Sequence, residues 1–348
     1  MGTTKPLNTV LIGLGMVADT HLQAIANLQD IVHLKGVYTR NQDAAQAYTH
    51  KVEETCGYGC EVYPSIEAIA ADTDLDFAII LTPPNARLAI VEAFTEAGLP
   101  MLMEKPIERS YAAAEVIVSM CEARDTPLGI VFQHRAGGSS STLRQKIQAG
   151  ELGKLGMVNV YIPWWRDQAY YDEPGRGTYA RDGGGVLMTQ AIHVLDLMIS
   201  LTGEVSEVQA MCRTSAFHEM EAEDFVSAGL TFKNGAIGSL MATTASSPGN
   251  SESITLHFDH AVAEITRGLC KLNWRDGRSE EFGEDTATGS GANPMAFGSS
   301  WHGTMIKDFA ESLIEKREPL ASGRESLKVH QLIEALVASS NAKAAVEV

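Results

Sequence analysis

The sequence predicts an α/β protein of two domains: a doubly wound parallel sheet, followed by an α+β domain with a largely antiparallel sheet. Three observations lead to this prediction. The chain has 348 residues, its first third alternates short apolar runs with helical patterns, and its later part joins several strands through tight turns. A chain of this length suits two hydrophobic cores of common size. We expect the first domain at residues 1–128 and the second at 129–348, whose terminal helices could pack back on the first.

The first domain is expected to alternate strands with helices. Its apolar runs predict strands at residues 9–13, 33–39, 61–63, 77–82, 100–104 and 128–132. Between them, Leu88, Val91 and Phe94 recur at helical spacing and predict a helix over 85–97, and a second helix is expected over 111–123. Strands separated by helices form parallel sheets, so this pattern indicates a doubly wound domain.

The second domain changes pattern. It opens with a helix at 141–149 and an extended segment at 157–165, and a glycine-rich loop then precedes a helix over 186–201. Strands are expected at 207–213, 225–232, 236–244 and 253–258, and the turn Lys233-Asn234-Gly235 predicts a hairpin. The Gly and Ser content of 283–300 predicts a long loop. Capping-box spacing between Ser322 and Glu325 predicts a helix over 327–338.

Composition excludes several classes of partner. The formal charge of −17, from 44 acidic and 27 basic residues, would repel a phosphate backbone, so we expect no nucleic-acid partner. No apolar run approaches the roughly 18 residues that a membrane span needs, and the first residues lack the apolar stretch of a signal peptide. We therefore expect a cytoplasmic protein with no membrane partner.

The cysteines favour a reducing compartment and no metal site. There are five of them, an odd number, scattered and without CxxC spacing, which predicts reduced thiols. No nearby histidine or second pair completes a site with Cys56 and Cys60.

The first strand leads into a Gly-x-Gly-x-x-Ala turn at the mouth of a helix. Gly13 permits the tight turn, Gly15 lets the backbone approach a pyrophosphate, and Ala18 allows close packing of helix and strand. Met16 and Val17 lie at the helix N-terminus, where free N–H groups attract phosphate. A turn that merely joins a strand to a helix is the alternative. Its place at the first strand of a βαβ series favours a dinucleotide-binding Rossmann domain.

The end of the second strand bears on the choice of cofactor. A carboxylate there would bind the adenosine ribose of NAD, but this chain has Thr39-Arg40. A hydroxyl followed by a guanidinium suits the 2′-phosphate of NADP, because arginine makes bidentate bonds to phosphate. We therefore prefer NADP, with NAD as the alternative. Arg40 could instead stack on adenine or lie in solvent.

Glu104-Lys105-Pro106 ends the fifth strand, at the carboxyl edge where doubly wound sheets bind ligands. Lys105 there could donate a hydrogen bond to a substrate hydroxyl, or take part in its proton transfer. Pro106 restricts the backbone of Lys105 to extended angles. An ordinary exposed lysine at a strand end is the alternative.

A polar stripe follows the glycine loop. Thr189, His193 and Asp196 fall at i, i+4 and i+7 of the predicted helix, among apolar neighbours. The stripe is either a solvent face or the wall of a cleft. A solvent face normally carries Lys and Glu, whereas a histidine suits proton exchange near neutral pH, so we favour the cleft.

With these motifs in hand, the chain resembles the glucose-fructose oxidoreductase and inositol dehydrogenase family, Gfo/Idh/MocA. The resemblance covers nearly the whole length and includes the closing helices. It rests on Gly13-Leu14-Gly15, Thr82-Pro83-Pro84-Asn85, Glu104-Lys105-Pro106, Phe132-Gln133-His134-Arg135, and the loop Gly183-Gly184-Gly185 with His193-Val194-Leu195-Asp196.

The resemblance implies a Rossmann domain plus an open-faced sheet that forms homodimers or homotetramers. It implies hydride transfer between NAD(P) and a hydroxyl or carbonyl carbon of a sugar, inositol or sugar derivative, as in dehydrogenases acting on CH–OH groups. Lys105 and His193 match the catalytic pair, and Asp196 matches a substrate-hydroxyl ligand or an orienter. The implied cofactor contacts are Thr82, Pro83, Asn85, Glu104, Lys105, Trp165 and Arg166.

The sequence departs from the family pattern at two positions that bear on the identity of the substrate. Thr189 stands where inositol dehydrogenase-like members have an Asp, and Arg87 stands where the Thr-Pro motif commonly leads to a histidine. Aromatic and polar groups near the glycine loop could hold a sugar ring or an acidic substituent. We assign to substrate binding Thr189, Gln190, Tyr170, Tyr171 and Arg176.

Two other functions stay open at this point. One is a redox-neutral lyase or glycosidase that keeps its NAD and uses transient oxidation. The other is a sensor that binds a dinucleotide or sugar without turnover. The joint presence of Lys105, His193 and Asp196 speaks against a sensor, which would not need that set.

Overall fold

The computed structural model describes residues 5–286 and 298–348. The chain divides into two compact units. The first comprises Met1–Glu108, Ala112–Gln133 and Ser299–Ser326, and the second comprises Arg109–Tyr111, His134–Gly298 and Leu327–Val348. Most of the loop predicted over 283–300 lies outside the described residues.

The first unit contains a six-stranded parallel sheet. Its strands are β1 (Leu7–Ile12), β2 (Val32–Tyr38), β3 (Glu61–Val62), β4 (Phe77–Ile80), β5 (Met101–Glu104) and β6 (Leu128–Val131). They lie in the order β3-β2-β1-β4-β5-β6, the arrangement of a Rossmann domain. Every residue of β4, β5 and β6 is buried, which is why these strands read as continuous apolar runs. The predicted doubly wound sheet is confirmed.

The second unit contains a nine-stranded mixed sheet. Its strands are β7 (Leu155–Pro163), β8 (Val205–Arg213), β9 (Phe225–Phe232), β10 (Ile237–Thr243), β11 (Ser253–Phe258), β12 (Ala261–Thr266), β13 (Leu269–Trp274), β14 (Ser279–Gly283) and β15 (Val346–Glu347). The order is β14-β13-β12-β11-β7-β10-β9-β8-β15, and among these described strands only β7 and β10 pair in parallel. The largely antiparallel sheet and the hairpin at Lys233-Asn234-Gly235 are confirmed.

The helices described in the two ranges are α1 (Ala18–Ala26), α2 (Gln42–Cys56), α3 (Ile66–Ala70), α4 (Leu88–Ala97), α5 (Tyr111–Glu122), α6 (Gly138–Gln148), α7 (Gln168–Tyr171), α8 (Ile192–Thr202), α9 (Ser300–Glu315) and α10 (Gly323–Ala342). Helix α9 completes the core of the first unit, where Phe309 packs edge-on against Phe77 of β4 at 5.5 Å between ring centroids. In the second unit, α6 packs on β13 and β14. None of the described helices is both long and apolar enough to cross a membrane.

Two predicted helices open with a turn that is not α-helical. The helix expected over 85–97 starts at Leu88, because the Arg87 N–H donates to the Pro84 carbonyl and closes a tighter 3-10 turn over Pro84–Ala86. The helix expected over 186–201 opens with a π-helical segment, Leu187–Ala191. There the Thr189 hydroxyl and the Thr189 backbone N–H both donate to the Gly185 carbonyl, at 2.7 Å and 3.1 Å. The α-helical spacing therefore relates His193 to Asp196 but not Thr189 to His193.

Candidate active site

The turn after β1 leaves room for a ligand on one side only. Gly13 has φ +92°, and a Cβ there would lie 2.9 Å from the Thr82 backbone nitrogen, so only glycine fits. At Gly15 an added Cβ would have no heavy atom within 4 Å. Ala18, the first residue of α1, is fully buried. The open side of the turn is where a pyrophosphate can approach the helix N-terminus.

The Thr82 segment lies beside this turn because β1 and β4 are neighbours at the point where the strand order reverses. The Thr82 hydroxyl oxygen is buried and has no hydrogen-bond partner among the described residues. Pro83 and Asn85 are exposed. A buried hydroxyl of this kind calls for a partner, which a bound dinucleotide would supply. The residues at this edge therefore fit the predicted cofactor.

At the end of β2, Thr39 is partly buried and Arg40 is exposed. No residue in the described ranges forms a hydrogen bond or an ion pair with the Arg40 side chain. Its guanidinium can therefore pair with a ligand phosphate.

Lys105 follows the last residue of β5, at the same carboxyl edge of the sheet as the glycine turn. Its backbone N–H donates to the Glu104 carboxylate at 3.1 Å. The carboxylate thereby fixes the main chain from which the lysine side chain projects.

Two histidines surround Glu104, and sequence reasoning missed both. One Glu104 carboxylate oxygen lies 2.9 Å from His21 Nε2 of α1 and 3.8 Å from His302 Nε2 of α9. All three side chains are buried. Their ligand atoms lie within 4.8 Å of one another, a spacing that a metal ion could bridge. The residues come from three distant parts of the sequence, so no local pattern signalled this cluster.

Glu104 carries its charge inside the first unit. Burial would raise the pKa of its carboxyl, but the His21 hydrogen bond and the positive charges of His21, His302 and Lys105 outweigh burial and hold the pKa at about 2. Glu104 was predicted to contact the cofactor. Its carboxylate accepts hydrogen bonds from His21 and from the Lys105 backbone, and the cofactor contact stays a prediction.

In the second unit, α8 brings together the predicted His193 and Asp196. The His193 ring stacks on the ring of His134 with 5.2 Å between centroids and 18° between planes. Asp196 accepts two bonds from Arg135, of 2.7 Å from Nε and 2.6 Å from Nη2. Asp196 is only 1% exposed, so the stripe is not a solvent face. The catalytic pair of the prediction, Lys105 and His193, is divided between the first unit and the second.

Four residues of the second unit form what we term the arginine–tyrosine cluster: Arg166, Tyr170, Arg176 and Gln190. The guanidinium carbons of Arg166 and Arg176 lie 5.7 Å and 5.0 Å from the centroid of the Tyr170 ring. Gln190 donates to the Tyr170 hydroxyl at 3.3 Å. Four of the predicted contact residues thus meet in one place. The Tyr171 ring packs edge-on against that of Tyr170 at 5.1 Å between centroids, while its buried hydroxyl lies 2.6 Å from that of Thr244.

His218 and Asp224 support this cluster and were not predicted. His218 Nδ1 lies 2.8 Å from Asp224 Oδ2, and its Nε2 lies 2.9 Å from the Arg166 carbonyl oxygen. Both side chains are completely buried. The centroid of the Trp165 ring lies 5.7 Å from that of the His218 ring. This dyad fixes the main chain of the Trp165-Arg166 segment.

The glycine loop before α8 is shaped by packing. A Cβ at Gly185 would lie 1.7 Å from the Glu223 carbonyl oxygen, so no larger residue fits. The Glu223 carboxylate accepts from the backbone N–H groups of Gly185 and Leu187, at 3.3 Å and 3.1 Å, and so caps the start of the helix. Burial raises the pKa of the Glu223 carboxyl. The loop therefore positions the helix that carries His193.

Comparisons with known proteins agree with this architecture. Residues 7–132 match the family described as "Oxidoreductase family, NAD-binding Rossmann fold", and residues 140–264 match the "GFO/IDH/MocA C-terminal domain". The inositol 2-dehydrogenase of Rhizobium meliloti (strain 1021) is 27% identical over 195 residues, which cover 56% of this chain and 54% of that protein. The match therefore spans about half the length of that relative.

Two further similarities extend over more of the chain. The D-apiose dehydrogenase of Paraburkholderia graminis is 26% identical over 365 residues, covering 99% of this chain and 90% of that protein. The structure of the WlbA dehydrogenase from Bordetella pertussis, in complex with NADH and UDP-GlcNAcA, is 26% identical with a TM-score of 0.80 and covers 99% of each chain. From the two domain matches, the sheet order and the glycine turn, the chain belongs to the GFO/IDH/MocA oxidoreductase family.

Proposed function

We propose that this protein is an NAD(P)-dependent oxidoreductase that transfers a hydride between nicotinamide and a hydroxyl or carbonyl carbon of a sugar, inositol or sugar derivative. The observation that carries the proposal lies within the first unit. The open turn at Gly15, the buried Thr82 hydroxyl and Lys105 share one carboxyl edge of a parallel sheet. Relatives named as dehydrogenases of inositol and D-apiose support the substrate class.

Gly13, Gly15 and Thr82 would hold the dinucleotide at this edge, and the nicotinamide supplies the hydride acceptor or donor when bound. We propose NADP as the preferred cofactor because Arg40 stands where NAD-binding chains place a carboxylate. NAD is the alternative, and it is favoured by the NADH found in the Bordetella pertussis structure. Exposure of the Arg40 guanidinium is the feature that supports NADP.

Lys105 and His193 are proposed to carry out proton transfer to and from the substrate hydroxyl. The lysine ammonium can donate to that oxygen, and the imidazole can take up or return its proton near neutral pH. The bidentate Arg135 pair holds Asp196 rigidly one turn from His193. We propose that Asp196 orients the site or binds a substrate hydroxyl.

The arginine–tyrosine cluster supports a substrate with an acidic substituent. Arginine makes charge-assisted bonds to carboxylates and phosphates, and this cluster holds two guanidinium groups beside an aromatic ring, one of which also pairs with Glu173 at 3.1 Å. The UDP-GlcNAcA in the Bordetella pertussis structure is a ligand of that chemical kind. We therefore propose a sugar derivative that carries an anionic group.

The exposed face of the second sheet supports a homo-oligomer. At the positions that are not buried, the four central strands β11, β7, β10 and β9 carry no Asp, Glu, Lys or Arg. Large apolar side chains stand there, with Met157 39%, Tyr161 48% and Ile237 60% exposed. The cores of protein interfaces are depleted of charge in this way. We propose that two copies of the chain pair through this face in a dimer or tetramer.

We also propose a cytoplasmic location. The five cysteines, Cys56, Cys60, Cys121, Cys212 and Cys270, are all free, as the sequence predicted. Free thiols are typical of a reducing compartment.

Native mass spectrometry followed by a substrate screen tests the function. The first step measures any dinucleotide that copurifies, and the second incubates the protein with sugars, sugar acids and inositols while reduced nicotinamide is followed by its absorbance. We expect net reduction or oxidation with a sugar derivative. Consumption of a sugar without net change in the nicotinamide would replace the proposal by redox-neutral chemistry, and binding without consumption would replace it by a sensor.

A further inference from the structure

Arg87 is a buried cation in the first unit, at the start of α4. Its side chain is among the largest that are fully buried, with 2% of the residue exposed. Burial lowers the pKa of its guanidinium to about 10, against the opposing charges of Glu104 and Glu108, so it stays protonated at neutral pH. A buried charge is costly unless its donors are used, so its contacts define its role.

Within the described part of the chain, all hydrogen bonds of its side chain go to backbone carbonyls of two segments. Nε and Nη2 donate to the Thr82 carbonyl at 2.9 Å and 2.7 Å. Nη1 donates to the carbonyls of Glu104 and Pro106, and reaches that of Ile107 at 3.5 Å. One planar guanidinium therefore joins the ends of the neighbouring strands β4 and β5.

Both segments belong to the proposed site. Thr82 offers the buried hydroxyl at the cofactor edge, and Lys105 lies between two of the carbonyls that Arg87 holds. The chain has left the sheet ladder here and Pro106 has no N–H, so these carbonyls need donors from elsewhere. Arginine can serve both segments at once because its donors form a fixed fork, which a lysine lacks.

We propose that Arg87 is a positioning residue that locks the Thr82 segment to the Lys105 segment, and so sets where the Lys105 ammonium stands relative to the bound cofactor. The proposal rests on the proposed function for the role of Lys105. This lock, meaning the bonds from Arg87 to both backbone segments, can be measured without turnover.

The test compares Arg87→Lys with the wild type and with Arg324→Lys. The control makes the same substitution in the first unit, where Arg324 pairs with the surface carboxylates of Glu115 and Glu122. Hydrogen exchange read by mass spectrometry follows the amides of Thr82, Lys105 and Ile107. A second measurement follows the rate at which an amine-specific reagent labels Lys105. Steady-state kinetics separate kcat from KM.

We expect both segments to exchange faster together in Arg87→Lys, the labelling rate of Lys105 to change, and kcat to fall by about 100-fold, the cost of misplacing a reacting group by about 1 Å. KM for sugar and cofactor should stay within about threefold, because the binding groups remain. Arg324→Lys should match the wild type. If Arg87→Lys does not fold, Arg87→His replaces it in the test, because the imidazole ring keeps N–H donors.

Exchange, labelling and kcat all unchanged in a folded variant would overturn the proposal, as would a lower melting temperature with unchanged kcat. Faster exchange at only one of the two segments would also overturn it. If the wild type turns over no sugar while both segments loosen together in the variant, the proposed function fails and the lock stands.

Discussion

At the scale of single residues, Arg40 is the side chain that should decide between two cofactors. A charged hydrogen bond to a 2′-phosphate is worth about 1.5–3 kcal/mol, or roughly a 10- to 100-fold change in affinity. We expect Arg40→Ala to raise KM for NADP by that factor and to leave KM for NAD within about twofold. Initial rates with each cofactor measure the change.

Arg124→Ala is the matched control for Arg40, because it removes another exposed arginine of the first unit. It should change neither KM. Equal losses for NADP and NAD in Arg40→Ala would show that Arg40 does not meet the 2′-phosphate.

His193 should matter for turnover and not for cofactor binding. The imidazole lies in the second unit, whereas the glycine turn lies in the first. We expect His193→Ala to cut kcat by about 100-fold or more, the contribution of a general acid or base. Fluorescence titration should give an unaltered dissociation constant for the dinucleotide. Unchanged turnover would remove His193 from the mechanism.

Glu104 makes stability depend on pH in a defined direction. Its pKa in the folded chain, about 2, lies below the ordinary 4.5. A carboxylate with a depressed pKa contributes its full stabilisation at pH values above 4.5. That contribution is lost as the pH falls towards 2. Glu104→Gln should therefore lower the free energy of unfolding at neutral pH, by about 3 kcal/mol for a broken buried pair. Urea titrations over this pH window measure it.

The difference between wild type and Glu104→Gln should shrink as the pH falls below 4.5. Glu92→Gln, an exposed carboxylate on α4, should show no such trend. A difference that stays constant with pH would mean that the Glu104 charge does not act through His21, His302 and Lys105.

At the scale of elements, the two glycines of the turn after β1 should respond differently. Gly15 has open space around an added Cβ, whereas at Gly13 a Cβ would press on the Thr82 backbone at 2.9 Å with φ at +92°. We expect Gly15→Ala to keep its melting temperature but to bind the dinucleotide at least tenfold more weakly, since the methyl group occupies the phosphate space. Gly13→Ala should lose both stability and binding.

Differential scanning fluorimetry with and without dinucleotide separates the two variants. If Gly15→Ala bound the cofactor as the wild type does, the open space at Gly15 would not be the phosphate site. If Gly13→Ala were as stable as the wild type, the contact with Thr82 would not constrain the turn.

Elements with strong local signals could be predicted from the sequence. The strands β4 to β6 are buried on both faces and read as apolar runs, and the Lys233-Asn234-Gly235 turn fixes its hairpin. The π-helical start at Leu187–Ala191 could not be predicted, because the sequence there carries the apolar pattern of a regular helix.

The candidate site likewise contains residues that could be predicted from the sequence and residues that could not. Lys105, His193 and the glycine turn carry motif signals, and a resemblance supplied their roles. The partners that hold them have no local signature: His21 and His302 meet Glu104 only through tertiary packing of α1 and α9. Glu223 and His218 likewise act across long sequence separations. Position at a strand end is readable from sequence, whereas the buried groups that fix that position are not.

At the scale of the whole molecule, the uncharged sheet face predicts assembly. Charged residues make up 20% of the chain, yet β11, β7, β10 and β9 have none at the positions that are not buried. A monomer with a formal charge of −17 would gain solubility from charges there. Their absence is explained if the face is covered by a second copy of the chain.

Introducing charge into this face should therefore dissociate the oligomer. We expect the wild type to be a dimer or tetramer by native mass spectrometry, and Tyr161→Asp combined with Ile237→Asp to shift it to monomers, because unpaired carboxylates would be buried at the interface. Thr231→Asp, directly opposite Ile237 on the neighbouring strand, should also weaken the oligomer. Lys271→Asp, on an outer strand that already carries charge, should leave the assembly intact. A monomeric wild type, or an oligomer that survives both central substitutions, would place the contact between copies on another surface.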